Sequence, residues 1–332
     1  ESAIHFPTDL NLLWDSVRKS IETIGYFRVQ KLQLTSWREW KSWLRKVRTA
    51  YRTASEIHRK KGNKYEIRLK AAVSNYLSIC SDISLKVRSA MSELVIGEVV
   101  GSKLTERQKK KVAALRYYEQ MLNKHIDLVN RRIMKGEDIP HSEKVFSIFE
   151  PHAEWNSKGK ANKKVELGHN VLIGTDQYSF ILHWEVYEHK VDKERTINFG
   201  QSIKKEYGTE HKLGSISFDK NFFSYPAENY LRDKYNIVVL PKAGKASKYE
   251  LTQSENEDYK AVKKAHSQIE GNISELESHG LDVCADKGMD GFKRYVAYGV
   301  LSYNLTKLGR TLMAEERKEI KRLKKRKMKQ VA

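Results

Sequence analysis

A mixed α/β fold, a mixed sheet flanked by helices and interrupted by a large all-helical insertion, is what this sequence predicts. Three observations carry the prediction. From about residue 35 to 137, apolar residues recur at three- and four-residue steps almost without interruption, as amphipathic helices require. "VELGHNVLIG" (165–174) and "YSFILHWEVYE" (178–188) read as strands. Between 215 and 241 a strand, a helix begun by proline and a second strand follow in order, which implies parallel pairing.

The first helical stretch puts Trp37, Trp40, Leu44, Val47, Tyr51 and Ala54 on one face of one long helix, and Gly62-Asn63 breaks it. A second stretch carries Leu69, Val73, Tyr76, Leu77, Cys80 and Ile83. The third, after Lys103, carries Leu115, Tyr118, Leu122, His125, Ile126 and Val129. Together they predict a helical hairpin or small bundle. The texture changes near Pro140. Tyr178, Phe180, Leu182, Trp184 and Val186 alternate on one strand face, and "GTDQ" before them suits a hairpin turn. A strand over 215–218, a helix from Pro226 to Tyr235 and the strand "NIVVLPK" come next, the last halted by Pro241. Helices are expected from Ser254 to His279, stopped by Gly280, and from Asp290 to Leu312. The end, "EERKEIKRLKKRKMKQ", carries nine positive and three negative residues and reads as a frayed basic tail.

Composition narrows the class of partner. Lys and Arg number 62 against 42 acidic residues, a formal charge of +20, while 39% hydrophobic residues are enough to fold the 332-residue chain. Such a surplus points to a polyanion. No run is long enough to span a membrane, and no charged-then-apolar leader opens the chain, so a soluble cytoplasmic protein is expected. Cys80 and Cys284 stand far apart without a Cys-x-x-Cys, which gives no support to a disulfide framework or zinc site and predicts two buried thiols. Residues 31–70 hold thirteen Lys or Arg against three acids, a surplus of ten, so half of the net charge sits on this segment. Its Trp37, Trp40 and Tyr51 stripe suits core packing. Arg38, Lys41, Arg45, Arg48 and Arg52, on the other faces, suit either phosphate binding or plain solvation.

One carboxylate stands where the strand "SISF" stops. Asp219 there suits a turn or cap first, and a metal ligand at a strand end second. Glu270, 51 residues downstream on a helix, suits a solvated face or a second ligand. If the two converge they can hold Mg2+ or Mn2+, and a pair of such ions drives in-line phosphoryl displacement. Two carboxylates are too few for two ions, and a third acidic ligand is expected. His266, one helical turn before Glu270, is placed to share its face, orienting the carboxylate, touching a phosphate or simply completing a structural hydrogen bond. Lys220, Lys242 and Lys245 lie beside the site, and Lys158 and Lys160 flank Gly159 in a turn; each suits a DNA phosphate or solvent.

"SFDKNFFS", "VVLPKAGK", "AHSQIEGNISELESHGLD" and "GLDVCADKGMDGFKRYVAYGVLSYNLTKLGR", in that order, resemble the second half of DDE transposases from bacterial insertion sequences. "VFSIFEPHAEWNSKGKANKKVELGHNV" and "IHFPTDLNLLWDSVRK" are similar to segments of the same group. The resemblance covers about 1–25 and 143–312, and the helical middle matches only loosely. It implies a ribonuclease H-like catalytic core with Asp219 as the second catalytic aspartate and Glu270 as the glutamate. The family's first aspartate sits a few residues before the "IHFPTD"-like segment, so it is expected upstream of Glu1 rather than at Asp9 or Asp15. The domains expected are then 1–30, an N-terminal remnant of the core; 31–140, the basic helical insertion; 141–312, the core; and 313–332, the basic tail. The resemblance further implies two Mg2+ or Mn2+ ions and double-stranded DNA, both transposon ends and target, as partner. It also implies a homodimer or larger assembly on that DNA, in the nucleoid-bearing bacterial cytoplasm. Water frees a 3′ hydroxyl at the element's end, which then attacks target DNA. With only two of three carboxylates, the chain is expected to bind DNA and cleave it poorly. Two rivals share these residues, a stand-alone metal-dependent nuclease of the same fold and a non-catalytic basic nucleic-acid-binding protein descended from a transposase.

Overall fold

A computed structural model of the chain describes residues 1–30, 34–99, 104–157, 165–188, 192–208 and 213–331. The chain divides into two units, Ile4–Pro151 and a second made of Glu1–Ala3 with His152–Ala332.

The first unit is helical. Helix α1, Asp9–Val29, begins where Thr8 accepts the Asn11 N–H while the Asn11 side chain returns to the Thr8 N–H, a reciprocal cap that satisfies two donors the first turn leaves open. Its Leu10, Leu13, Val17, Ile21 and Ile24 form one buried stripe. That stripe packs among α2 (Trp40–Lys60), α3 (Tyr65–Val99) and α4 (Glu106–Val129), so α1 belongs to the bundle and not, as the sequence grouping had it, to the remnant of the core. The bundle's core includes Val47, Tyr76, Cys80, Ile83, Leu115 and Leu122. Gly25 lets α1 approach α2 closely, because a Cβ there would stand 2.9 Å from the Trp40 ring. The chain reverses after α2 at Gly62, whose φ of +108° is left-handed.

The predicted aromatic stripe is indeed core. Trp37 is fully buried and its indole N–H donates to the Lys86 carbonyl at 3.0 Å, while Tyr51 stacks on Trp14 at 5.2 Å. Trp37 lies in a short 3-10 turn, Thr35–Trp37, ahead of α2 rather than on it.

The second unit carries the strands. β1 (Glu154–Ser157) pairs antiparallel with β2 (Val165–Gly168), and β3 (Asn170–Thr175) pairs antiparallel with β4 (Ile181–Tyr187). β5 (Leu213–Ser217) pairs with β6 (Tyr235–Val239) in parallel, as the strand, helix, strand order requires. Among the described residues these are three two-stranded pairs and not the single continuous sheet expected from sequence. The stretch 165–174 is also two strands, because Gly168, with φ +156°, and His169 redirect the chain from one partner to the other. The first residues join this unit: the Ser2 N–H donates to Leu167, and Cys284 donates to the Glu1 carbonyl.

Six helices complete the unit among the described residues: α5 (Asp192–Tyr207), α6 (Tyr225–Lys234), α7 (Lys248–Thr252), α8 (Glu257–Ala265), α9 (Gln268–Leu276) and α10 (Gly288–Val331). α6 starts with proline in its first turn and Ser224 as cap, as its sequence implies. The expected helix from Ser254 to His279 is instead α8, α9 and a wider turn, Glu277–Leu281, in which Gly280 takes the left-handed φ of +95°. α10 runs on through the residues read as a frayed tail, since Lys, Arg, Glu and Leu are strong helix formers and neither glycine nor proline follows Gly309. Phe199, Phe218, Leu231 and Val238 make one core cluster; Ile181, Leu276, Phe292, Val296, Val300 and Tyr303 make another. Cys80 and Cys284 are both buried, as their isolation predicted, and burial holds the Cys80 thiol above its ordinary range. Among the described residues no helix is long and apolar enough to cross a membrane.

Candidate active site and nucleic-acid interface

Parallel pairing sets the geometry. Ser217 opposes Val239 at the ends of β5 and β6, and the Phe218 N–H donates to Val239, so the two segments that follow leave the same edge side by side. The carboxyl ends of parallel strands are where open α/β units bind ligands, because the chain there is free to splay into loops. Asp219 leaves β5 at that edge and Lys242 leaves β6, each within three residues of the paired ends.

Asp219 is exposed. One of its oxygens accepts the Lys220 N–H at 2.7 Å and caps the short turn Lys220–Phe222, so the cap reading holds for one oxygen of the carboxylate. Glu270, in the first turn of α9, is also exposed, and its carboxylate forms no hydrogen bond or ion pair with a described residue.

His266 connects the two segments. Its Nδ1 lies 3.0 Å from the Ser217 hydroxyl, two residues before Asp219. From that bond Asp219 is at most about 7 Å away along the backbone and Glu270 at most about 14 Å, by the reach of an extended chain. The contact also corrects the sequence reading of His266. A tightened turn, with the Ile269 N–H on the His266 carbonyl at 3.1 Å, separates His266 from α9, so it does not share a continuous helical face with Glu270. Its ring is spent on the strand instead. Ser217 was missed from sequence, although its two-residue spacing from Asp219 put both on one strand parity.

The lysines differ from one another. Lys220 and Lys245 are exposed. Lys242 is held: its Nζ donates to the Tyr225 hydroxyl at 2.9 Å and lies 5.1 Å from the Tyr225 ring centre and 5.9 Å from that of Phe223. Lys158 and Lys160 lie outside the described residues. α6 and α7 brace this edge, because the buried Ser247 hydroxyl, which caps α7, donates to the buried Glu228 of α6 at 2.5 Å.

In the helical unit, Arg38, Arg45, Arg48 and Arg52 are all exposed, and none forms an ion pair with a described residue. Arg48 lies 5.7 Å from the Trp14 ring centre, and Lys46 and Lys86 both lie about 5 Å from Trp43. These aromatic surfaces fix cations whose outer sides stay open to solvent. Asp9 and Asp15 are engaged in the same unit, Asp9 with Arg132 at 2.9 Å and the buried Asp15 with Arg18 at 3.0 Å and His5 at 3.2 Å.

The donor set of Asp219 and Glu270 suits a hard divalent cation in kind, being carboxylate oxygens. In number it is short: among the described residues no three His, Cys, Asp or Glu groups stand together as a metal cluster. No family model, curated protein or solved structure matches the chain.

Proposed function

We propose that the chain is a DNA transposase of the DDE type, acting on phosphodiesters through a ribonuclease H-like core. Asp219 and Glu270 would hold Mg2+ or Mn2+. When bound, the ion supplies positive charge that stabilises the attacking and leaving oxygens of an in-line displacement. The chain's own contribution is positioning. Lys220, Lys242 and Lys245 bind the phosphodiester backbone beside the carboxylates. His266, through Ser217, ties the glutamate's segment to the aspartate's strand. Arg38, Arg45, Arg48 and Arg52 grip phosphates away from the chemistry.

The single observation that carries this reading is the hydrogen bond between Ser217 and His266, which brings two segments 49 residues apart in sequence to one strand edge, each bearing an exposed carboxylate. The sequence resemblance assigns the catalytic roles to those same two carboxylates. The non-catalytic rival draws its support from the cap that Asp219 forms with Lys220.

The test is strand transfer from an end-bearing oligonucleotide into a supercoiled plasmid with Mg2+ or Mn2+. Low-yield joined product that disappears in Asp219→Ala and in Glu270→Ala is expected. Cleavage without joining would instead make the chain a nuclease. DNA binding with no metal-dependent product in any chain would make it a binding protein.

A further inference from the structure

Tyr225 opens α6, and it differs from the aromatic residues that precede it in sequence. Phe218 and Phe223 are buried in their unit's core, whereas Tyr225 is 55% exposed. Its position is nevertheless fixed. Ser224 caps the helix that Tyr225 begins, the Phe223 ring meets the tyrosine ring edge-on at 5.2 Å, and the Tyr225 hydroxyl accepts a hydrogen bond from the Lys242 Nζ at 2.9 Å. The same ammonium is 5.1 Å from the ring centre, farther than from the hydroxyl, so it sits at the hydroxyl end and does not cover the ring. An aromatic side chain that is already held and still open to solvent is a prepared stacking surface, because little ordering remains to be done when a ligand arrives.

Charge identifies what stacks there. Residues 235–248, which run through β6 and the segment after it, carry Lys242, Lys245 and Lys248 and no acidic residue. A nucleotide joins a flat π face to a negative charge one sugar away, which matches a ring whose own hydroxyl holds an ammonium. A base inside a duplex offers no such face, since its neighbours in the stack cover both sides and removing it from them costs free energy. The ring therefore favours a base that is already unpaired.

We propose that Tyr225 and Lys242 form a subsite for one unpaired nucleotide of a DNA strand, its base stacked on the Tyr225 ring and its phosphate on the Lys242 ammonium. The proposal rests on the nucleic-acid part of the proposed function and needs neither metal nor chemistry. Its test is fluorescence anisotropy of the full chain, with EDTA present, on two labelled duplexes that differ only in a short 3′ overhang containing 2-aminopurine. The overhang duplex is expected to bind about tenfold more tightly than the blunt one, the equivalent of 1.4 kcal/mol, with the 2-aminopurine fluorescence quenched as the base stacks. Tyr225→Ala should abolish the preference and the quench while the melting temperature stays in place, because the ring is exposed; Tyr225→Phe, which keeps the ring, should retain the quench. Equal affinity for the two duplexes, or a preference or quench that survives Tyr225→Ala, would overturn the subsite and leave duplex binding standing. A wild-type chain that bound neither duplex would remove the nucleic-acid reading itself, and the subsite with it.

Discussion

Polar groups near the core of the helical unit and those at the edge of β5 and β6 differ in how far they are engaged. In the helical unit, three polar groups near the core are engaged: Asp15 with Arg18 and His5, Glu119 with Arg88 at 2.9 Å, and the Trp37 indole on a backbone carbonyl. At the edge of β5 and β6, by contrast, Asp219 and Lys220 stand in solvent, as do Lys245 on the segment after β6 and Glu270 in the first turn of α9. An engaged buried group reports on stability, and an exposed one that a fold holds at the end of parallel strands is free to meet a ligand. The difference teaches where to look for function and where for folding.

The comparison is broken most decisively if carboxylate loss is felt in stability rather than chemistry. Asp219→Ala and Glu270→Ala should each reduce metal-dependent DNA joining by more than about 100-fold, as loss of a group acting in the transition state does, while DNA affinity and melting temperature stay nearly constant. A melting temperature that fell while joining persisted would reverse the assignment.

Trp37→Ala makes the converse test. Removing that buried ring and its hydrogen bond should cost about 3–5 kcal/mol, read as a shifted denaturant midpoint, and leave the exposed cations in place.

Burial lowers the pKa of His125 to about 4; its Nδ1 faces the Met121 carbonyl and the Ser16 hydroxyl, with Asp9 favouring its charge and Lys124 opposing it. A histidine held neutral in the fold is protonated first when unfolded. Stability of the helical unit should therefore be full above the unfolded value near 6.5 and fall as pH drops toward 4, by about 3 kcal/mol. His125→Gln should flatten that acid limb in urea titrations at several pH values. An unchanged limb would mean other groups dominate it.

The smallest effect concerns α2. Arg45→Ala/Arg48→Ala/Arg52→Ala should flatten the slope of log affinity against log salt by about 2 to 3 for a short duplex, without altering stability by more than about 0.5 kcal/mol. An unchanged slope would return these arginines to the solvated surface.

Much of the local structure was legible because periodicity reports burial directly. Trp37, Val73, Tyr76 and Leu122 were read as core and are buried; the break at Gly62 and the parallel pairing across α6 followed from turn chemistry and strand order. α5 was illegible because its buried stripe is thin, Ile197, Phe199 and Ile203 among charged neighbours. The division of strands into separate pairs was hidden too, since pairing partners are set by long-range packing that one sequence does not print. At the candidate site the carboxylates and lysines were visible as residue types in order. Their bracing was not: the Ser217 contact with His266 and the Tyr225 contact with Lys242 join positions 49 and 17 residues apart.

The central claim is that Asp219 and Glu270 share a divalent cation. Electron paramagnetic resonance titration of Mn2+ into the chain, with a short DNA duplex present to complete the coordination shell, tests it most directly. The account predicts bound Mn2+ that is lost to a similar extent in Asp219→Ala and in Glu270→Ala, with the double variant no worse than either. Binding that survives one of the single substitutions untouched, or losses that simply add, would show that the two carboxylates act apart.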